Sequence, residues 1–442
     1  MEILIKAAQL LLSLSILVIV HEFGHFITAK LFKTRVEKFY LFFDPWFSLF
    51  KFKKGETEYG IGWLPLGGYV KISGMMDESM DKEQMQLPAQ PWEFRSKKTW
   101  QRLIIMLGGV TLNVILAFLI YICMLWAWGE SYLPTKEAKF GIEVDSIGQQ
   151  MGLQNGDKIL TLDGKVIEDF YKIPSHIILD QVKTISVERD GKTIDLTVPA
   201  GIVGKMIKQK SASFLNVRIP FVIESMPKNS GAIEAGMQKD DRILSLDTIK
   251  TPFYDQYRDH IKMFAGKTIK IGVLRGKDTI YLNTKVSNDA IIGAKPNGVL
   301  KNYFTFAKRD YSFFQAIPAG FTKTIAGIDN YFKQLRLLFS KEVKAYESVG
   351  GFISIGNIFP AAWDWQSFWS LTAFLSIMLA ILNVLPIPAL DGGHVIFLLF
   401  EMITGRKPSD KFLEYAQIVG MVLLLALLLF ANGNDVIRLF KH

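Results

Sequence analysis

Four stretches of this chain are too long and too apolar to be at home in water. They are Ile3–Phe32, about Leu103–Trp128, a third that begins near Trp365–Phe368, and about Tyr415–Phe430. A helix needs ~20 residues to cross ~30 Å of hydrocarbon, so each stretch can span a bilayer. The third is broken by NVLPIPALDGG before HVIFLLFEMI resumes. Composition agrees: 50% of the residues are hydrophobic and only 21% are charged. At 442 residues the chain exceeds one ordinary domain of ~100–200 residues. The first run has no basic leader and no small-residue cleavage site after it, so it reads as a retained span. The one cysteine, Cys123, lies inside the second run and rules out an intramolecular disulfide framework.

Basic residues orient the spans. The connection between the first two is rich in Lys and Arg, including Lys33, Arg35, Lys51, Lys53, Lys54 and Arg102, and the turn before the fourth carries Arg406, Lys407 and Lys411. The positive-inside rule makes these two connections cytoplasmic and leaves the long central segment and both termini outside. A net charge of +9 is then a property of loops, and no nucleic-acid partner is needed to explain it.

The outer segment, about Tyr132–Ser287, repeats itself. GLQNGDKILTLDG from Gly152 matches GMQKDDRILSLDT from Gly236, and each copy is followed by a helical stretch and a strand-turn-strand pattern. A spacing of 84 residues suits tandem small domains better than a solenoid. The pattern resembles the core of a PDZ domain, a fold in which a peptide adds as a strand to a sheet edge. The expected layout is a membrane part over 1–131, PDZ-like domains over 132–203 and 214–290, and a second membrane part over 300–442 that starts with an amphipathic connector. Asp240 stands where the first copy has Gly156, which predicts an altered turn there. Between the first two spans, FSLFKFKKGETEYGIGWLPLGGYVKISG reads as a hairpin around KKGE with an unusually apolar flank, either a small cytoplasmic sheet or a membrane-dipping element.

The chemistry starts in the first span, where VIVHEFGHFITAK places His21, Glu22 and His25 in apolar surroundings. Charged residues at a helix centre cost about 2.5–3.5 kcal/mol each on insertion scales, so the pattern needs a reason. Residues i and i+4 share a helix face, which lets His21 and His25 chelate one metal ion while Glu22 stands aside as a general base. The alternative is a buried polar network without metal. Zinc fits two imidazoles plus one further protein donor and an open position for water. At 1.5 Å per residue His21 lies ~27 Å beyond Ile3 and His25 ~8 Å before Lys30, toward the cytoplasmic side. The missing donor is expected at Asp391, in the Pro- and Gly-rich break of the third span, where irregular backbone is tolerated only inside protein or a wet cavity. The competing reading of Asp391 is a helix-terminating residue near the interface. His394 is taken as a supporting residue and not a ligand.

Taken together, HExxH in the first span, the central repeats and NVLPIPALDGG in the third resemble the site-2 protease family of intramembrane zinc metalloproteases over essentially the whole chain. The resemblance implies an α-helical polytopic membrane protein with four transmembrane helices, a membrane-associated β-hairpin and two extracytoplasmic α+β PDZ domains. It implies one zinc ion per chain held by His21, His25 and Asp391, with Glu22 as base. It also implies substrate handling by Asn383, Pro386 and Pro388 of the third-span motif, by Asn113 in GGVTLN, and by Gly68 and Tyr69 in LPLGGYVK. Val110 replaces the proline usual in the family's second-span motif, which puts the local backbone in question. The implied setting is the bacterial inner membrane, and the implied substrates are single-span membrane proteins, anti-sigma-factor-like or signal-peptide remnants. A membrane-anchored tandem-PDZ binding protein without proteolytic activity is the alternative, and a metal transporter is disfavoured because no ladder of ligands crosses the bilayer.

Overall fold

A computed structural model describes residues 1–65, 67–75, 87–208, 214–340 and 349–440. The chain forms two compact units: Met1–Gly129 with Asp310–Arg336 and Ala345–His442, and Glu130–Arg309 with Leu337–Lys344.

The first unit is helical, with one small sheet. Four of its helices are long and apolar enough to cross a membrane. These are α1 (Glu2–Leu31), α2 (Thr99–Trp128), α5 (Trp365–Val384) and α7 (Asp410–Phe440). Between them lie α3 (Phe313–Leu338), the short α4 (Phe352–Gly356) and α6 (Asp391–Thr404). The start of α2 is fixed by Gln101, whose side chain accepts the Lys98 amide at 3.1 Å, and that of α5 by Asp364, which accepts the Ser367 amide at 2.7 Å. α2 runs unbroken through Val110, so the missing proline leaves a regular helix there. α1 and α2 cross backbone to backbone. A Cβ added at Gly24 would lie 2.3 Å from the Gly108 carbonyl oxygen, and one at Gly108 would lie 2.5 Å from that of Gly24. Small residues at the crossing are what permit such an approach between apolar helices. Polar side chains join α5 to both at depth: Thr372, which donates to the Phe368 carbonyl of its own turn, meets the Ser13 hydroxyl of α1 at 3.0 Å, and Ser376 donates to the Asn113 carbonyl of α2 at 2.7 Å.

The break between α5 and α6 is held from α7. Ala389 adopts φ +77°, strained for an L residue, and its amide donates to the Gln417 side chain at 3.2 Å. Gly420 of α7 lies directly against the Pro388 carbonyl, where no larger residue would fit. α4 is tethered by the buried Asp435 of α7, which accepts from the amides of Gly351 and Ser354 at 3.0 and 2.9 Å and from the Ser354 hydroxyl.

The sheet is larger than a hairpin. β1 (Val36–Leu41), β2 (Phe43–Lys54), β3 (Thr57–Leu64) and β4 (Tyr69–Ile72) lie in the order β2-β3-β1-β4. β2 and β3 pair around KKGE as expected. The apolar flank that follows does not extend this hairpin: β3 runs parallel to β1 and β4 antiparallel to it, so β1 separates β3 from β4. Four short alternating segments need a central strand, and β1 directly follows α1 in the chain. β4 is left as an edge.

The second unit carries the repeat as two β-rich modules. In the first, β6 (Lys158–Leu162), β7 (Thr184–Arg189) and β8 (Lys192–Thr197) form one antiparallel sheet, and β5 (Ile142–Val144) pairs with β9 (Leu215–Val217). In the second, β10 (Arg242–Leu246), β11 (Thr268–Arg275) and β12 (Asp278–Lys285) repeat the three-stranded core. Both copies use the same buried ion pair. Asp157 takes Arg189 through two bonds of 2.7 Å, and Asp241 takes Arg275 at 2.8 and 2.7 Å. The turn at Asp240 is kept, because Asp240 adopts φ +70° where Gly156 has φ +100°, a region short polar side chains tolerate. The domain boundary expected at 214 falls elsewhere: Phe214, Leu215 and Val217 are buried in the core of the first module, because β9 completes its sheet pair.

Candidate metal centre

α1 presents His21 and His25 one turn apart on its buried face, and α6 starts with Asp391 opposite them. The two Nε2 atoms are 3.3 Å apart, and Asp391 Oδ2 lies 3.2 Å from each. This is the one group of three potential metal donors found among the described residues. Asp391 Oδ2 is buried and receives no conventional hydrogen bond. A buried carboxylate oxygen needs a positive partner, and here only two ring nitrogens face it.

The geometry fits an ion. Three donors separated by 3.2–3.3 Å form one face of a tetrahedron whose centre is about 2.0 Å from each corner, the distance zinc keeps to imidazole nitrogen. Imidazole and carboxylate are also the donor types zinc accepts in sites that leave a fourth position open. His25 is oriented from behind, since its Nδ1 donates to the Ile105 carbonyl at 2.9 Å and frees Nε2 for the centre. Space for both rings is made by Gly109, where an added Cβ would lie 2.5 Å from His25 Nε2 and 2.7 Å from His21 Cε1.

Two cavities meet at this point. One of about 700 Å³ is lined by His21, Glu22, His25, Tyr69, Asp391 and His394 among others. The other, about 300 Å³, is lined by Leu14, Val18, Phe352 and Leu379 and shares His21, Glu22, Gly68 and Asp391 with the first. Glu22 is therefore open to both and outside the donor triad. β4 ends the sheet order among the described residues, and Tyr69–Ile72 line the larger cavity together with Glu22. Gly68 has no room for a side chain, since a Cβ there would lie 2.6 Å from Val18.

The remaining expected residues divide. Asn383 stands 3.3 Å from His21 Nε2 and lines the smaller cavity. Asn113 is fully buried, 3.3 Å from His21 Nδ1, and lines neither cavity. Pro386 and Pro388 line neither cavity and instead shape the connection that delivers Asp391. Tyr69 lines the larger cavity and donates to Asp44 at 2.8 Å. His394 lines the same cavity outside the triad. Sequence reasoning missed Gly24, the Ile105 carbonyl, Val70 and Phe352. Gly24 sits inside HEFGH and was the one legible signal, a small residue beside two ligands.

Comparison with known proteins gives the family. The model of peptidase family M50 matches residues 9–427. The regulator of sigma-E protease RseP of Salmonella typhimurium is 30% identical, over 99% of this chain and 100% of the relative. The regulator of sigma E protease of Haemophilus influenzae is 28% identical, over 99% and 100%. A protein of Neisseria meningitidis named as a candidate zinc metalloprotease is 28% identical, over 96% and 97%.

Proposed function

We propose that this chain, which belongs to peptidase family M50, is a zinc metalloprotease that cuts single-span membrane proteins in or near their transmembrane helix. The observation that carries the reading is the donor triad with Glu22 beside it and outside it, in a unit with four helices long and apolar enough to cross a membrane. A purely structural metal site has no use for an adjacent base, which sets aside the anchored binding protein as second choice.

Zinc, when bound by His21, His25 and Asp391, supplies Lewis-acid polarisation of the scissile carbonyl and brings the pKa of water down to about 7. Glu22 takes the proton of the attacking water and returns it to the leaving amine, so the peptide bond breaks with one water consumed. The Asn383 amide, close to the metal-facing side of His21, donates to the oxygen on which charge develops. A helical substrate hides its amides, so it must be extended first. The edge strand β4, Tyr69–Ile72, lines the cavity that holds Glu22 and is where an extended substrate segment would add as a strand. The modules of the second unit serve as PDZ domains that admit substrates whose outer part has already been clipped. The setting is the bacterial inner membrane, with the centre toward the cytoplasmic side.

The test is reconstitution in lipid vesicles with a single-span model substrate, comparing wild type with Glu22→Gln and counting zinc in both. Cleavage is expected to fall about 10²–10⁴-fold in the variant, with one zinc per chain retained. Equal cleavage by Glu22→Gln, or a wild type that cleaves without zinc, overturns the reading. Zinc bound with no cleavage of any trimmed membrane substrate favours the anchor.

A further inference from the structure

We infer that Asn113 is a positioning residue for the metal centre, its side-chain oxygen accepting the Nδ1–H of His21 so that Nε2 is presented to the ion. The inference rests on the zinc reading above and reassigns a residue expected to handle substrate.

Burial argues first. Asn113 has no exposed surface and lines neither of the cavities that reach Glu22, so a peptide in either one does not touch it. Its backbone is pinned as well, because its carbonyl accepts the Ser376 hydroxyl at 2.7 Å. Among the described residues its side chain has one hydrogen-bond partner, His21 Nδ1 at 3.3 Å.

Protonation argues next. His21 Nε2 faces Asp391 at 3.2 Å and His25 Nε2 at 3.3 Å, so it is the donor atom of the triad and carries no proton when an ion is held. A neutral imidazole then carries its proton on Nδ1. The amide is placed with Nδ2 toward that nitrogen, which sets donor against donor, while its Oδ1 is buried without a partner. The two ends of an asparagine amide are assigned from hydrogen bonding and not observed. A half turn of the amide gives up no existing bond of Oδ1 and converts the mismatch into N–H···O. The same device already holds His25, whose Nδ1 meets the Ile105 carbonyl at 2.9 Å. Ile105, Gly109 and Asn113 recur at intervals of four on one face of α2. One helix without a ligand thereby holds one ring, makes room for both, and holds the other. Outer partners of this kind fix the tautomer and typically govern metal affinity 10–100-fold.

The test measures zinc affinity of the full chain in detergent by competition with a chromogenic chelator, for wild type, Asn113→Leu and Asn113→Asp. Loss of the acceptor in Asn113→Leu is expected to weaken zinc binding about 10–100-fold, whereas Asn113→Asp, which only accepts, holds wild-type affinity or tightens it. Wild-type affinity in the Leu variant, or loss in the Asp variant, overturns the assignment and returns Asn113 to packing or donation. Should the Leu variant fail to fold, the Asp variant decides alone, since a donor role predicts loss and an acceptor role predicts rescue. A wild type that takes up no zinc overturns the zinc reading itself. Zinc held equally by all three overturns only the role of Asn113.

Discussion

Gly109 shows how little space the centre leaves. Its Cα is where two imidazoles and a helix backbone come together, and a methyl group there would sit 2.5 Å from His25 Nε2. Ring ends usually swing aside, but His25 is pinned to Ile105, and both rings are held to a triangle with edges of 3.2–3.3 Å. On helix propensity alone Gly109→Ala gains about 1 kcal/mol. The expected result is therefore a chain that folds and melts no lower in EDTA yet retains under about a tenth of the wild-type zinc at limiting metal, an effect in the range that misplaced ligands produce. Metal analysis after dialysis checks it; full zinc content in the variant would show that the rings do not depend on that gap. At this scale the ligands were the legible part. Two histidines and a glutamate in an apolar run demand repayment, and so does an aspartate in a broken span; cost singled out His21, Glu22, His25 and Asp391, while the i, i+4 spacing and the family resemblance suggested their roles. Asn113 could be found but not assigned, because an asparagine has the same letters whether it meets a substrate or the back of a ligand. Only its depth and its partner separate the two.

Among the elements, β4 is the one whose placement has a chemical consequence. It is a short edge strand beside α1, and Tyr69 and Val70 line the larger cavity together with Glu22. A substrate segment added along this edge is extended, so its side chains alternate with a period of two, where a helix would repeat at three and four. In a Cys123→Ala background carrying Glu22→Gln, Tyr69→Cys is expected to form disulfides with cysteines at every second position of a bound single-span substrate. A crosslinking pattern with helical spacing, or none that depends on position, would rule out strand addition here. The long helices were readable from length and hydropathy; the ends expected for the first three moved by four residues or fewer, while α7 runs ten residues past the expected Phe430. The sheet was less so. β1 is a six-residue strand, Val36–Leu41, following directly on a helix, and its parallel pairing with β3 is a non-local choice that no local alternation announces. The two repeats were legible for the opposite reason: each copy carries its own turn, its own Asp–Arg pair and its own three strands.

At the scale of the whole molecule, the metal and the tryptophans report on the same unit. All nine tryptophans, Trp46, Trp63, Trp92, Trp100, Trp126, Trp128, Trp363, Trp365 and Trp369, lie in the unit that holds His21, His25 and Asp391, and none falls within Glu130–Arg309. Aromatic residues of this kind suit the ends of membrane spans, so their distribution follows from the same apolarity that defines the unit. Tryptophan fluorescence thus reads unfolding of the metal-bearing unit alone, while calorimetry reads both. A ligand that binds only the native state stabilises it by RT ln(1 + [L]/Kd), about 2.7 kcal/mol at a hundredfold excess over Kd. Because the three ligands come from two helices more than 360 residues apart in the chain, the unfolded state has no such site to compete. Removing zinc with a chelator is then expected to lower the fluorescence transition and the corresponding calorimetric one, and to leave unmoved the heat absorbed by the tryptophan-free modules. Asp391→Ala should melt at the chelated wild-type position with or without added zinc. If zinc shifted both calorimetric transitions alike, or shifted the Asp391→Ala protein as far as wild type, the metal would be acting elsewhere than at the triad.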